Sequence, residues 1–223
     1  MLRLFFMHNG LLKAFYNQSN KQLMELTPEK VKRFKNEIIE DNYTIVIRPN
    51  DIFINTIQEY INRLTEIEPN QYYYGVDYLH ITILGGIHQD CDVKTIITSV
   101  NKTLQKQKLE FQMRGIGSNE YCSSIHALPV NFSLYEVRQE LRSSIKLKGD
   151  SFSKYLKFYE YIGWMNYLRY TQKPSTNLLN IIKTNKNKDF GKLNASSIEV
   201  YKVNSKVPDF KKDKCLYRLT YNL

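Results

Sequence analysis

The sequence predicts an α+β fold of two pseudo-symmetric lobes, each an antiparallel or mixed sheet with helices on its outer face, around a central groove. Three observations carry this. The order strand, proline, capped helix, strand occurs twice, around Pro49 and around Pro129. Strand segments alternate apolar and polar residues, and the helical segments between them carry one apolar stripe each. The chain, at 223 residues with 42% hydrophobic and 24% charged content, has the make-up of a soluble globular domain.

In the first half, residues 1–40 read as a helical extension. Thr27 stands at an N-cap position, Pro28 at the first helical position, and Val31, Phe34 and Ile38 share a stripe. Residues 41–223 form one bilobal domain. "YTIVIRP" (Tyr43–Pro49) is β-branched and ends in proline, as a strand would. Asn50 or Asp51 caps a helix with Ile54, Ile57, Ile61 and Leu64 on one face, and Pro69 closes it. "YYYGVDYLHITIL" (Tyr72–Leu84) is the next strand. A helix bearing Val93, Ile96, Ile97, Val100 and Leu104 and the strand "LEFQMRGIG" complete the half.

The second half repeats the grammar. "SSIHALPVN" is a strand closed by Pro129, and Ser133 with Glu136 forms a capping box for a helix burying Val137, Leu141 and Ile145. "YIGWMNYLRY" (Tyr161–Tyr170) is a strand. A short helix around Leu178 and Ile182 and two closing strands, "SSIEVYKV" and "CLYRLTYNL", end the chain.

Alternation sorts the strand residues. Ile45, Ile47, Ile81 and Ile83 face the helices of one lobe, and Ile125, Ala127, Met165 and Tyr167 those of the other. The opposite faces present Thr44, Val46, His80 and Thr82 against Ser124, His126, Trp164 and Asn166. Two such faces brought together make a groove.

The net charge of +10 favours an anionic partner, though the lysines are spread along the chain. Cys91, Cys122 and Cys215 lie too far apart for a zinc pattern or a disulfide framework, which favours a reducing cytoplasm. The apolar core of "MLRLFFMHNG" is too short for a signal peptide, and no stretch reaches membrane-spanning length.

The strand "LHITIL", its lead "IEPNQYYY", and the later "RQELR", "FGKL" and "IEVYKV…YRLTYNL" resemble the two-histidine phosphoesterase superfamily, which includes 2'-5' RNA ligase-like proteins and 2',3'-cyclic phosphodiesterases. The similarity runs from about Tyr43 to the C-terminus. It implies a phosphodiester of a nucleotide or RNA as ligand, two histidines as general base and general acid, hydroxyl groups holding the phosphate, and neither metal nor other cofactor. His80 and Thr82 match the first motif. An imidazole titrates near neutrality and serves either role.

The second motif departs from the pattern. Trp164 stands where the resemblance expects histidine and Asn166 where it expects a hydroxyl residue, while the following Arg–aromatic pair survives as Arg169 and Tyr170. An indole N–H donates but exchanges no proton near pH 7. Trp164 therefore fills the core or offers a stacking face to a base. Arg169 reaches the groove only if its strand bulges. His126, on the Trp164 face, is the candidate for the missing proton carrier, and Tyr74 is the tyrosine of its cluster that edges the groove. His8 and His88 receive no role. Three functions remain open: a phosphodiesterase of altered mechanism, a silent nucleotide or RNA binder, and a structural interaction module.

Overall fold

The computed structural model describes residues 38–119, 121–147, 160–205 and 214–221. In chain order the elements are β1 (Ile38–Pro49), α1 (Asp51–Ile67), β2 (Tyr72–Tyr73), a 3-10 turn (Val76–Tyr78), β3 (Ile81–His88), α2 (Val93–Leu104), β4 (Glu110–Ser118), β5 (Cys122–Pro129), α3 (Leu134–Ile145), β6 (Gly163–Arg169), α4 (Thr176–Thr184), β7 (Asp189–Ser205) and β8 (Cys215–Thr220). Both proline-terminated strands are followed by their helices. Ser133 caps α3 by accepting from the Glu136 N–H at 3.2 Å, and Asp92 caps α2 in the same way.

Local pattern and structure part in two places. The stretch from Tyr72 to Leu84 is not one strand: β2 is two residues long, and the 3-10 turn separates it from β3. Ile38 belongs to a strand and not to a helix, because β7 runs far enough to pair with it at Ser205. A partner strand outweighs local helical preference there. The rest of the predicted helical extension lies outside the described residues.

All ladders are antiparallel, in the order β2-β6-β5-β4-β7-β1-β3, with β8 on β7. The two halves exchange strands. β4, from the first half, pairs with β5. The 17-residue β7 pairs with β4 over Asp189–Asn194 and then with β1 from Ala195 onward. One lobe is therefore β3-β1-β7-β8 and the other β2-β6-β5-β4 with the start of β7.

Helices cross over too. α1 follows β1, yet its Tyr60 ring lies 5.6 Å from the Tyr167 ring and 5.2 Å from that of Phe190, in the second lobe. α3 follows β5, yet packs on β3. The expectation that each helix covers the strands of its own half is corrected accordingly. Period tells which side of a strand is apolar, not whose helix covers it. Ile45, Ile47, Ile81, Ile83, Ile125, Ala127, Met165 and Tyr167 all lie in one continuous core running through both lobes.

The lobes meet where β3 approaches β6. No ladder joins these strands among the described residues, so their facing edges need other partners. Arg138 of α3, almost wholly buried, supplies them. Its Nε donates to the Ile83 carbonyl at 2.7 Å, Nη2 to the Thr82 carbonyl at 3.1 Å, and Nη1 to the Ile162 carbonyl at 3.2 Å. A forked guanidinium suits three carbonyls from two chain segments. The same helix stacks Tyr135 on Tyr161, with ring centroids 5.1 Å apart. Arg142 pairs with both oxygens of Glu160 at 2.7 and 2.9 Å.

Beside this clamp the strands nearly touch. A Cβ on Gly163 would lie 2.6 Å from Ile81 Cγ2 and 3.3 Å from Ala127 Cβ. Gly163→Ala should therefore lower stability by about 1–3 kcal/mol, read as a lower urea midpoint with unchanged slope. An unaltered midpoint would show that the seam has slack.

Candidate functional site

His80 enters the site from the 3-10 turn. Its Nδ1 lies 2.7 Å from the Tyr78 carbonyl. A carbonyl only accepts, so Nδ1 carries the proton and Nε2 keeps its lone pair. The backbone around it is held by Arg48 of β1, whose Nη1 donates to the Asp77 carbonyl at 2.9 Å and the Leu79 carbonyl at 3.2 Å.

Arg48 is fixed in turn by Glu199 at 2.7 Å and by the Tyr201 hydroxyl at 2.8 Å. Glu199 also receives Arg218 at 2.7 Å. Burial opposes ionisation of Glu199, but bonds from Arg48 and Tyr201 and the charges of Arg48 and Arg218 outweigh it, holding the carboxyl below its ordinary range. His80, 9% exposed, is pushed down to about 4, chiefly by burial. The Tyr78 bond works the other way, while the charges of Arg48 and Arg169 add to the shift.

Arg169 acts on His80 from the opposite lobe, and a bulge is the reason. On β5, Ser123 faces Leu168 while its neighbour Ser124 faces Asn166. Tyr167 is the extra residue, and it returns Arg169 to the face of Trp164 and Asn166. Arg169 Nε donates to the Tyr74 hydroxyl at 2.9 Å. Asn166 lies beside Cys122, with Oδ1 3.5 Å from Sγ. Thr82 from β3 and Trp164 from β6 line one pocket.

The bulge splits the Arg–aromatic pair. Tyr170 turns into the core, 3% exposed, with its hydroxyl bonded to Ser123 at 2.7 Å and Ser118 at 3.2 Å. Its assignment as a ligand contact is corrected: the ring fills the interior. Tyr74, expected to edge the groove, is corrected likewise: it is buried in the same core, 4% exposed, and its hydroxyl accepts from Arg169. His126 pairs with Trp164 across β5 and β6 but is 0% exposed, and burial pushes it down to about 4. In this arrangement it is a neutral interior imidazole without a solvent-facing edge.

Sequence reasoning missed Arg48, Glu199, Arg138, Arg142, Glu160 and Cys122. Alternation along Thr44 and Val46 points to Arg48, two residues further on the same face. Glu199 follows only once β7 is known to lie beside β1, opposite Val46.

No protein-family model matches the sequence, and no curated protein is a significant match. Solved structures do match. E. coli LigT complexed with ATP superposes with a TM-score of 0.52 at 11% identity, over 84% of this chain and all of that one. TT0787 of Thermus thermophilus gives 0.56 at 11% identity, over 80% and 97%. A crystal structure described as that of a phosphoesterase gives 0.52 at 11%, over 82% and 99%.

The chain shares the fold of E. coli LigT and of these related structures. Within that fold Thr82 of β3 and Trp164 of β6 line one pocket, His80 stands just before β3, and Asn166 lies two residues beyond Trp164 on β6. Among the described residues no three His, Cys, Asp or Glu side chains gather closely enough to hold a metal ion, and no helix is long and apolar enough to cross a membrane.

Both buried imidazoles have folded-state pKa values below the unfolded value near 6.5. The unfolded chain binds more protons between pH 6.5 and 4, so the stability they contribute is full above 6.5 and drains away as pH falls toward 4. The loss should be on the order of 3 kcal/mol per histidine. Urea unfolding at steps from pH 7 to 4.5 checks this. His126→Gln should flatten the decline, and a profile already level in the native protein would contradict it.

Proposed function

We propose that the groove between β3 and β6 binds a phosphodiester of a nucleotide, an RNA end, or a 2'-5'-linked or cyclic oligonucleotide, with turnover slow or absent. The carrying observation is Trp164, which shares a pocket with Thr82 on the wall where a second proton carrier would have to stand. Support for a nucleotide comes from the E. coli LigT structures of the same fold, one complexed with ATP and one with NADP+.

The chemistry follows from the donors present. Neutral His80 offers Nε2 to an attacking hydroxyl. The Thr82 hydroxyl, the Arg169 guanidinium and the Asn166 amide donate to non-bridging phosphate oxygens. Departure of the other ester oxygen needs a proton, which an indole does not release. Loss of one acid–base partner costs about 10²–10⁴ in rate. His126, buried beside Trp164, does not make this good without a rearrangement that exposes it. A groove that holds phosphate with one proton acceptor and no donor is a binding site first.

The chain's single tryptophan is Trp164, so its fluorescence reports occupancy. Titration with 2',3'-cyclic nucleotides, 2'-5' and 3'-5' dinucleotides and cyclic oligonucleotides should give saturable binding with at least one class. Thr82→Val or Arg169→Met should weaken it by about tenfold or more, the scale of a hydrogen bond to a charged group. Product formation should stay near background and rise by about two orders of magnitude in Trp164→His with Asn166→Thr. If no probe binds at millimolar concentration, the groove is not a phosphodiester site.

A further inference from the structure

The carbonyls that lead into His80 go two ways. Those of Asp77 and Leu79 accept from one nitrogen, Arg48 Nη1, at 2.9 and 3.2 Å. The one between them, on Tyr78, meets His80 Nδ1 at 2.7 Å. A peptide unit is planar and turns only about the dihedrals on either side of it. Arg48 pins the unit before the Tyr78 carbonyl and the unit after it. The Leu79 N–H, at the other end of the middle unit, donates to the Val76 carbonyl at 3.2 Å. The middle unit is thereby held with its carbonyl toward the imidazole.

Arg48 is braced from behind. One oxygen of Glu199 accepts from Arg48 Nε at 2.7 Å and from the Tyr201 hydroxyl at 2.6 Å. The other accepts from Arg218 at 2.7 Å and from the Ser197 hydroxyl at 3.2 Å. Arg48 Nη2 donates to the Tyr201 hydroxyl at 2.8 Å. A buried ion pair is a poor source of stability, because desolvation offsets its attraction. This one fixes the plane of a guanidinium. Lysine carries the same charge without the planar fork. Resting on the phosphodiester reading above, we propose that Arg48 is a positioning residue: braced by Glu199 and Tyr201, it aims the Tyr78 carbonyl at His80 Nδ1 and so keeps the imidazole lone pair on Nε2, the atom which that reading gives to the attacking hydroxyl.

Nitrogen NMR of the imidazole rings, with the His80 signals assigned by their loss in His80→Gln, reads the tautomer in ligand-free protein at neutral pH. Native His80 should show one tautomer, with the proton on Nδ1. Arg48→Lys should show both. Removing one partner of a buried ion pair strands the other charge, so the second variant joins Arg48→Met to Glu199→Met, and it too should show both tautomers. In protein carrying Trp164→His and Asn166→Thr, adding Arg48→Lys should lower kcat by about 10²-fold with KM little changed, the scale of a small misplacement of a reacting group. A single Nδ1-protonated signal that survives in both Arg48 variants would overturn the positioning role, whatever the groove binds. Loss of the single tautomer in those variants, in a protein that neither binds nor turns over any phosphodiester, would uphold the brace on His80 and overturn the ligand reading instead.

Discussion

Two strands that carry the candidate chemistry come within touching distance without pairing, and a single buried guanidinium occupies the gap. Arg138 draws the Thr82 and Ile83 carbonyls of β3 and the Ile162 carbonyl before β6 to one planar group. A regular ladder would have zipped the strands together and closed the groove. Unmet carbonyls would have cost about 1–3 kcal/mol each. The guanidinium avoids both outcomes and leaves side chains from the two strands facing a common space. Gly163 belongs to the same constraint, since its missing Cβ is what admits Ile81.

From that seam outward, charge and burial set the properties of each group. His80 is neutral because it is withdrawn from water and lies near two arginines. Its tautomer is set by one backbone carbonyl. Glu199 keeps Arg48 oriented toward the turn before His80, so the network on the lobe-one face acts on the imidazole through backbone position. On the other wall the Tyr167 bulge brings Arg169 into reach of His80. The result is a buried imidazole under the charge of arginines from both lobes, with Thr82 and Trp164 facing one pocket nearby.

Much of this was readable in the linear chain. Pro49 and Pro129 mark matching places in the two halves because proline ends a strand's ladder and each is followed by a helix start. Period two separated Ile81 and Ile83 from His80 and Thr82, since neighbouring strand residues point to opposite faces whatever the partner. The departure of Trp164 and Asn166 from the motif that the resemblance implies was likewise visible in the linear chain. Tyr170 and His126 were misjudged for different reasons: the face that carries His126 is closed at that position, and the one-residue bulge at Tyr167 reverses the side of Tyr170.

Residue type and spacing alone determined the order of elements, the apolar side of each strand, and the chemical capacity of His80, Thr82 and Trp164, because these are properties of local backbone geometry and side-chain composition. Tertiary structure decided the exchange of strands and helices between halves, the clamp at Arg138, the Arg48–Glu199 brace, the return of Arg169 to the face of Trp164 and Asn166, and the neutrality of both buried histidines. Those depend on which distant segments share one desolvated space, and on where a ladder slips by a residue, which no local pattern encodes.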